Sequence, residues 1–286
     1  MKLLVIIALL IAISAGYAQI YFVDTEDSAK LTVHELAQQL QEFDVIFFGE
    51  WHGIESIHEA QAVVTEALAE DSANLILSFE MWERDSQPVL DSFLQGDIPE
   101  EQFVAQSRIW TNYENYRPLL MIAKDYKMTV IAANVPRVYA GRVVQEGWDF
   151  IDSLPSGERG YIAQRLSAPE DDYKREFMLL MNGMGGHQYS AETMHKYYLA
   201  QCIKDDTMAE SIALAKQANP EARIIHYNGD FHSRSFLGTV SRLRTLMPEI
   251  KIAVISPEAV TNFKNPQLPD NMASLATYLL LSLPID

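Results

Sequence analysis

Five short apolar runs recur along the chain: 44–49 (DVIFFG), 74–80 (NLILSFE), 128–134 (MTVIAAN), 222–228 (ARIIHYN) and 250–256 (IKIAVIS). Each is apolar at nearly every position, the pattern of a strand covered on both faces rather than one. The stretches between them carry helical spacing instead. In 56–70, Ile57, Ala60, Val63, Val64, Ala67 and Leu68 fall on one stripe. YRPLLMIAKDY precedes the third run, 205–218 precedes the fourth and 235–248 leads into the fifth. Alternating strand and helix predicts an α/β fold of three layers, a mostly parallel sheet with helices on both faces.

From about 150 to 204 the alternation lapses. PEDDYKREFMLLMNGMGGHQYSAETMHKYYLAQCIKD reads as two helices hinged at Asn182-Gly183-Met184-Gly185-Gly186, a helical insertion over the sheet. The last stretch, NMASLATYLLLSLPID, is too short to cross a bilayer and reads as a docked terminal helix. No Ser/Gly/Pro-rich linker interrupts the chain, so 19–286 is expected to form one domain.

Composition then removes whole classes of function. With 286 residues, 48% of them hydrophobic, the chain can bury a full core. A formal charge of −17 argues against nucleic acid, which requires a basic face, and against anionic lipid headgroups. Residues 1–18, MKLLVIIALLIAISAGYA, fit a secretory signal peptide, with Lys2 before the apolar segment Leu3 to Ile13 and Gly16-Tyr17-Ala18 before Gln19. That segment is shorter than the roughly 20 residues a spanning helix needs. The expectation is a cleaved leader and a periplasmic or secreted protein without stable membrane insertion; no lipid-attachment cysteine follows the apolar run. The single cysteine, Cys202, excludes an internal disulfide and a Cys-rich zinc site, and reads as a small buried apolar residue.

Chemistry gathers where the runs end. Ligands of an open parallel sheet bind outside the carboxyl ends of its strands. The first run ends in Gly49-Glu50-Trp51-His52 and the fourth in Asn228-Gly229-Asp230-Phe231-His232, the same order of glycine, acid, aromatic and histidine. The second ends in Glu80, and the third in Asn134 followed by Val135-Pro136-Arg137. One such end can be a helix cap. Four are expected to form one cleft, because polar groups closing apolar strands cost free energy unless they are paired. His34 reads as an exposed helix position, His226 as sheet packing, and His58 can face either the cleft or water. In the insertion, His187 and His195 stand near Tyr189, Tyr197 and Tyr198. Such a flap suits a haem iron, for which both residue types serve as axial ligands, and equally suits an amphipathic surface helix.

FFGEWHGIESIH, LSFEMWERDSQPVLDSFL, YRPLLMIAKDYKMTVIAANVPR, DDTMAESI and GDFH, in that order from about residue 43 to 240, resemble the ChaN-like haem-binding proteins. These sit in a wider group with the erythromycin esterases and the Tiki and TraB proteins. The resemblance implies a three-layer α/β fold, haem binding or iron acquisition, and a homodimer around haem with tyrosine and histidine as iron ligands. The wider group implies metal-dependent hydrolysis at positions that match Gly49 and His52, Glu80, and Gly229 and His232. NGDFHSRS departs from the Gly-x-Gly-His form of the family, and the family's lipid-attachment cysteine is absent.

Two functions follow. The first is a secreted haem-binding protein of haem or iron uptake, with His187, Tyr189, His195 and Tyr197 offered to the iron and Arg137 or Arg175 to the propionates. The alternative is a metal-dependent protease or esterase. Its catalytic residues would be Glu50, His52, Glu80, Asp230 and His232, with a divalent metal on His52, Glu80 and His232. No Gly-x-Ser-x-Gly elbow is present, which disfavours an ordinary serine hydrolase.

Overall fold

The computed structural model describes residues 20–71, 74–184 and 189–284. The expected leader at 1–18 and the residues Gly185, Gly186 and His187 lie outside the described residues. Eight strands form one sheet: β1 (Tyr21–Asp24), β2 (Lys30–Leu31), β3 (Val45–Glu50), β4 (Leu75–Glu83), β5 (Thr129–Asn134), β6 (Arg223–Gly229), β7 (Ile252–Ala259) and β8 (Tyr278–Ser282). The helices are α1 (Val33–Leu40), α2 (Glu55–Asp71), α3 (Gln87–Gln95), α4 (Glu100–Gln106), α5 (Tyr113–Asp125), α6 (Arg137–Glu146), α7 (Ser156–Arg159), α8 (Asp172–Gly183), α9 (Ala191–Ala218), α10 (Gly238–Leu246) and α11 (Met272–Leu275).

The strand order is β2-β1-β8-β7-β3-β6-β4-β5. β8 through β5 run parallel, while β1 and β2 are antiparallel additions at one edge. Successive side chains of a strand point to opposite faces, so each central strand feeds two cores. Ile46 and Phe48 pack with Leu36, Val64, Tyr116 and Leu120 on the face covered by α1, α2 and α5. Val45 and Phe47 pack with Ala209, Ile212, Val240 and Leu243 on the face covered by α9 and α10. All six residues of β3 are buried, as the unbroken apolar run requires. The three-layer α/β expectation holds.

Three local expectations fail. The C-terminal stretch is not a docked helix: only Met272–Leu275 is helical, and Tyr278–Ser282 becomes β8, paired with both β7 and β1. The apolar run YLLL satisfied either reading, and two open sheet edges decided it. β4 does not stop at Glu80 but runs on to Glu83, with a register shift against β5 between Phe79 and Glu83. The insertion does not close at 204, because α9 runs unbroken through 28 residues from the insertion onto the sheet.

Topology brings the two repeated motifs together. β6 follows β5 in sequence but enters the sheet between β3 and β4. Gly49 then sits opposite Asn228 and Glu50 opposite Gly229. The order reverses here, with β3 leading to β4 in sequence but pairing β6 and β7 in space, and such a switch point opens a crevice at the strand ends.

Candidate functional site

A cavity of about 870 Å³ opens at this switch point. Its floor comes from the two motifs, Glu50, Trp51 and His52 after β3 and Gly229 to His232 after β6. α8 supplies Tyr173, Arg175, Glu176 and Leu180, and α11 supplies Ser274 and Leu275. The volume falls in the range of about 300–1,000 Å³ usual for organic ligands and cofactors.

Each motif histidine is held by carboxylates, in different ways. His52 is half-exposed, and its Nδ1 lies 2.7 Å from Glu50 Oε1. Glu50 is buried and also accepts from Tyr116 Oη at 2.6 Å and from Gln61 Nε2 at 2.8 Å. Burial works against charge on His52, but the Glu50 hydrogen bond and the Glu80 charge outweigh it and raise its pKa. Trp110 meets the His52 ring edge-on at 5.1 Å.

His232 is buried between two acids, with Nδ1 at 2.7 Å from Asp205 and Nε2 at 3.3 Å from Glu80. Burial alone would lower its pKa, but Glu80 and Asp205 together push it up to about 10. Both acids are correspondingly held below the ordinary carboxylate range, burial being outweighed by the imidazolium beside them. Glu80 also accepts from the Gly229 N–H at 2.7 Å. Asp205 accepts from Thr239 Oγ1 at 2.8 Å and from Tyr173 Oη at 2.5 Å. A histidine with both ring nitrogens donating has no lone pair to give.

Asp230 lies in the same floor, where burial raises its pKa to about 6 against the opposing pull of Arg234 and Ser256. Ser256 Oγ donates to it at 2.5 Å. Thus Glu50, His52, Asp230 and His232 line one cavity and Glu80 braces it from beneath, as the strand-end argument anticipates. Asn134 reaches the same region only through its side-chain amide, which donates to the Glu80 carbonyl.

Other sequence candidates lie elsewhere. Arg137 donates to Glu83 at 2.9 Å, beside Arg108 on the same carboxylate, and is absent from the cavity lining. His195 is exposed on α9, and the Tyr189 and Tyr197 rings meet at a tilt of 59° with centroids 5.5 Å apart, outside the cavity lining. Tyr198 is buried and donates to the Pro169 carbonyl. The metal triad expected of His52, Glu80 and His232 does not form, since Glu80 and His232 pair with each other. Among the described residues, no group of three or more His, Cys, Asp or Glu side chains is arranged to hold a metal ion. His226 is core packing, buried and neutral, with burial pushing its pKa down to about 3 and Nδ1 facing Ser78 at 2.9 Å. His58 faces inward against Gln61, and Cys202 is buried.

Sequence reasoning missed Asp205, Tyr116, Gln61 and Tyr173. Asp205 belongs to the DDTMAESI segment, where two adjacent acids in the middle of a helical stretch were the available signal. Asp205 and Asp206 are both buried, and Arg242 pairs with Asp206 at 2.8 Å.

The model of the family described as "Haem-binding uptake, Tiki superfamily, ChaN" matches residues 36–243, most of the chain. The chain belongs to this family. No curated protein sequence matches it. Among solved structures, ChaN of Campylobacter jejuni, described with cofacial haem binding, superposes with a TM-score of 0.71 at 17% identity. The match covers 91% of this chain and 96% of that one, which shows a shared fold. Weaker likenesses are the type III effector HopBA1 (TM-score 0.49, 11% identity, 88% and 93% of the two chains) and the erythromycin esterase EreC (TM-score 0.47, 10% identity, 89% and 80%). The ChaN assignment, read from ordered motifs, is thereby shown. Among the described residues, no helix is long and apolar enough to cross a membrane.

Proposed function

We propose that this ChaN-family chain binds haem in the strand-end cavity and serves haem or iron uptake, acting in the periplasm or outside the cell after its leader is removed. The observation that carries the reading is the cavity itself. It combines space for an organic cofactor, apolar walls from Trp51, Phe231, Leu180, Leu237 and Leu275, and an imidazole held by a carboxylate. Apolar faces suit a porphyrin, imidazole suits its iron, and a guanidinium suits its propionates. Arg175 lines the mouth with its side chain mostly exposed, free to exchange its surface partners Asp172 and Glu176 for a propionate. When bound, haem supplies an iron centre, and the chain's own groups bind, orient and shield it.

We place a second copy of the chain over the cavity mouth. Leu179, Leu180 and Met184 at the end of α8, with Tyr189 beyond it, are large exposed apolar side chains, and Leu180 also lines that mouth. A shared mouth would cover them together with the haem edge.

Ferric haem titrated into the apoprotein tests both parts. A Soret shift that saturates at a defined stoichiometry, with the sedimentation coefficient rising to that of a dimer, supports the reading. A spectrum of free haem at every ratio rejects it.

A further inference from the structure

β7 and β8 lie side by side and run parallel, so the chain must cross back over the sheet between them. Such a crossover usually carries an α-helix that packs on the sheet through its own apolar face. The connection 260–277 carries one short turn instead, α11. It is nonetheless a wall of the cavity, through Asn271, Ser274 and Leu275. An irregular segment has few hydrogen bonds of its own, so its position is set by what it is tied to.

Both ends are tied to strands. The Val260 N–H donates to the Ser282 carbonyl at 2.8 Å, and the Thr277 N–H to the Val254 carbonyl at 2.9 Å. The N-terminal hairpin of β1 and β2 adds a grip on each half. Thr25, just after β1, is buried, and its Oγ1 donates to the Ala276 carbonyl at 2.8 Å and lies 3.0 Å from that of Thr277. On the other half, Lys30 Nζ donates to the Phe263 and Lys264 carbonyls at 2.9 and 3.0 Å. The Tyr21 ring stacks on that of Phe263 with centroids 5.4 Å apart. Phe263, Leu268 and Met272 pack, partly buried, against the core beneath α9 and α10. α11 also touches the turn Arg234–Phe236, which follows the second motif.

We infer that the N-terminal hairpin belongs to the ligand site, with Lys30 the positioning residue that holds the 260–277 wall in place. The inference rests on haem binding in the cavity and deepens it by naming what governs release.

Lys30 suits a tie better than it suits a core. An ammonium has three N–H groups and no acceptor, so one head can cap two carbonyls. Lys30 is exposed, and hydrogen bonds made in solvent add little to the stability of a fold. These two join segments more than 230 positions apart, and they restrict the wall where neither end of it does. Lys30→Met removes the ammonium and keeps the apolar stem. The middle of the connection is then free to move while the sheet stays intact, and a wall that opens more often releases its ligand faster.

The test compares the wild type, Lys30→Met and Lys30→Arg. Amide hydrogen exchange is followed without ligand, ferric haem dissociation is followed into a scavenging apoprotein, and melting temperatures are recorded. Lys30→Met is expected to exchange faster within 261–277 alone, with the melting temperature of the wild type. Its haem release should quicken by roughly threefold to tenfold, the factor that one or two hydrogen bonds are worth. Lys30→Arg keeps a donor to the same carbonyls and should restore both rates. If the wild type takes up no haem, the functional reading fails and this inference with it. If the wild type binds and Lys30→Met releases haem at the same rate, haem binding stands and the role of Lys30 is overturned. Faster release without faster exchange in 261–277 also overturns it. Exchange that quickens across the whole sheet makes Lys30 a stabiliser of the fold, and overturns it too. A Lys30→Arg variant that releases haem as fast as Lys30→Met removes the two carbonyl bonds from the role.

Discussion

A Cβ on Gly229 would stand 2.8 Å from Nε2 of His52, so the glycine after β6 leaves the space into which the ring of the histidine after β3 fits. Gly229→Ala is expected to turn the His52 ring outward. The ring is half-exposed and can move, so the fold should lose less than about 1 kcal/mol. Haem affinity should fall by about tenfold, roughly 1.4 kcal/mol, as the displaced ring crowds the cavity. Calorimetry alongside haem titration checks both numbers, and equal losses of stability and binding would show that the glycine serves the fold.

Gly49→Ala makes the opposite contrast. Its Cβ would stand 2.5 Å from Asp230 Oδ1 and 3.2 Å from both the Asp230 Cα and the Ile255 carbonyl oxygen. Backbone on two sides cannot yield as a side chain can. The expected cost is about 1–3 kcal/mol of unfolding free energy, as for other overpacked cores, read from denaturant midpoints at constant slope.

The charged clamp on His232 predicts a pH dependence. Its ordinary pKa is 6.5 and its folded value about 10. A group raised on folding stabilises fully below its unfolded value, and that stabilisation is lost as pH rises through the folded one. The wild type should therefore exceed His232→Gln in stability near neutrality, by about 3–5 kcal/mol for a buried ion pair that has lost one partner. The difference should shrink as pH rises towards 10. In the wild-type NMR spectrum, the His232 ring carbon shifts should stay those of an imidazolium at pH 8, and a neutral ring there contradicts the clamp.

Gln87 closes the β5 edge of the sheet. Its amide donates to the Val130 carbonyl at 2.8 Å and accepts from the Ala132 N–H at 2.7 Å, imitating a further strand beside β5. Gln87→Ala leaves both backbone groups open. The expected outcome is a loss of about 1–3 kcal/mol and greater self-association through the edge, measured by denaturant unfolding and by sedimentation at several concentrations.

Much of the architecture was legible in the order of residues. The five apolar runs became β3 to β7 because strands buried on both faces have no polar side to show, and periodicity records that directly. The strand ends were legible for a related reason: Glu50, His52, Glu80, Asp230 and His232 interrupt apolar runs where solvent or a ligand must meet the chain. The terminal run was misread as a helix, since YLLL fits either element and only the sheet's vacant edge selects one. Sequence could show that Gly49-Glu50-Trp51-His52 and Gly229-Asp230-Phe231-His232 resemble each other, but not that they touch. That follows from β6 entering between β3 and β4, a pairing set by contacts across 179 positions (Val45 with Ile224). The division of labour between the two histidines belongs to tertiary structure as well. His52 has one carboxylate and an uncommitted nitrogen, whereas His232 has two carboxylates, the second being Asp205 from the middle of α9. A histidine's chemistry is set by what faces its two nitrogens, and those partners come from distant parts of the chain.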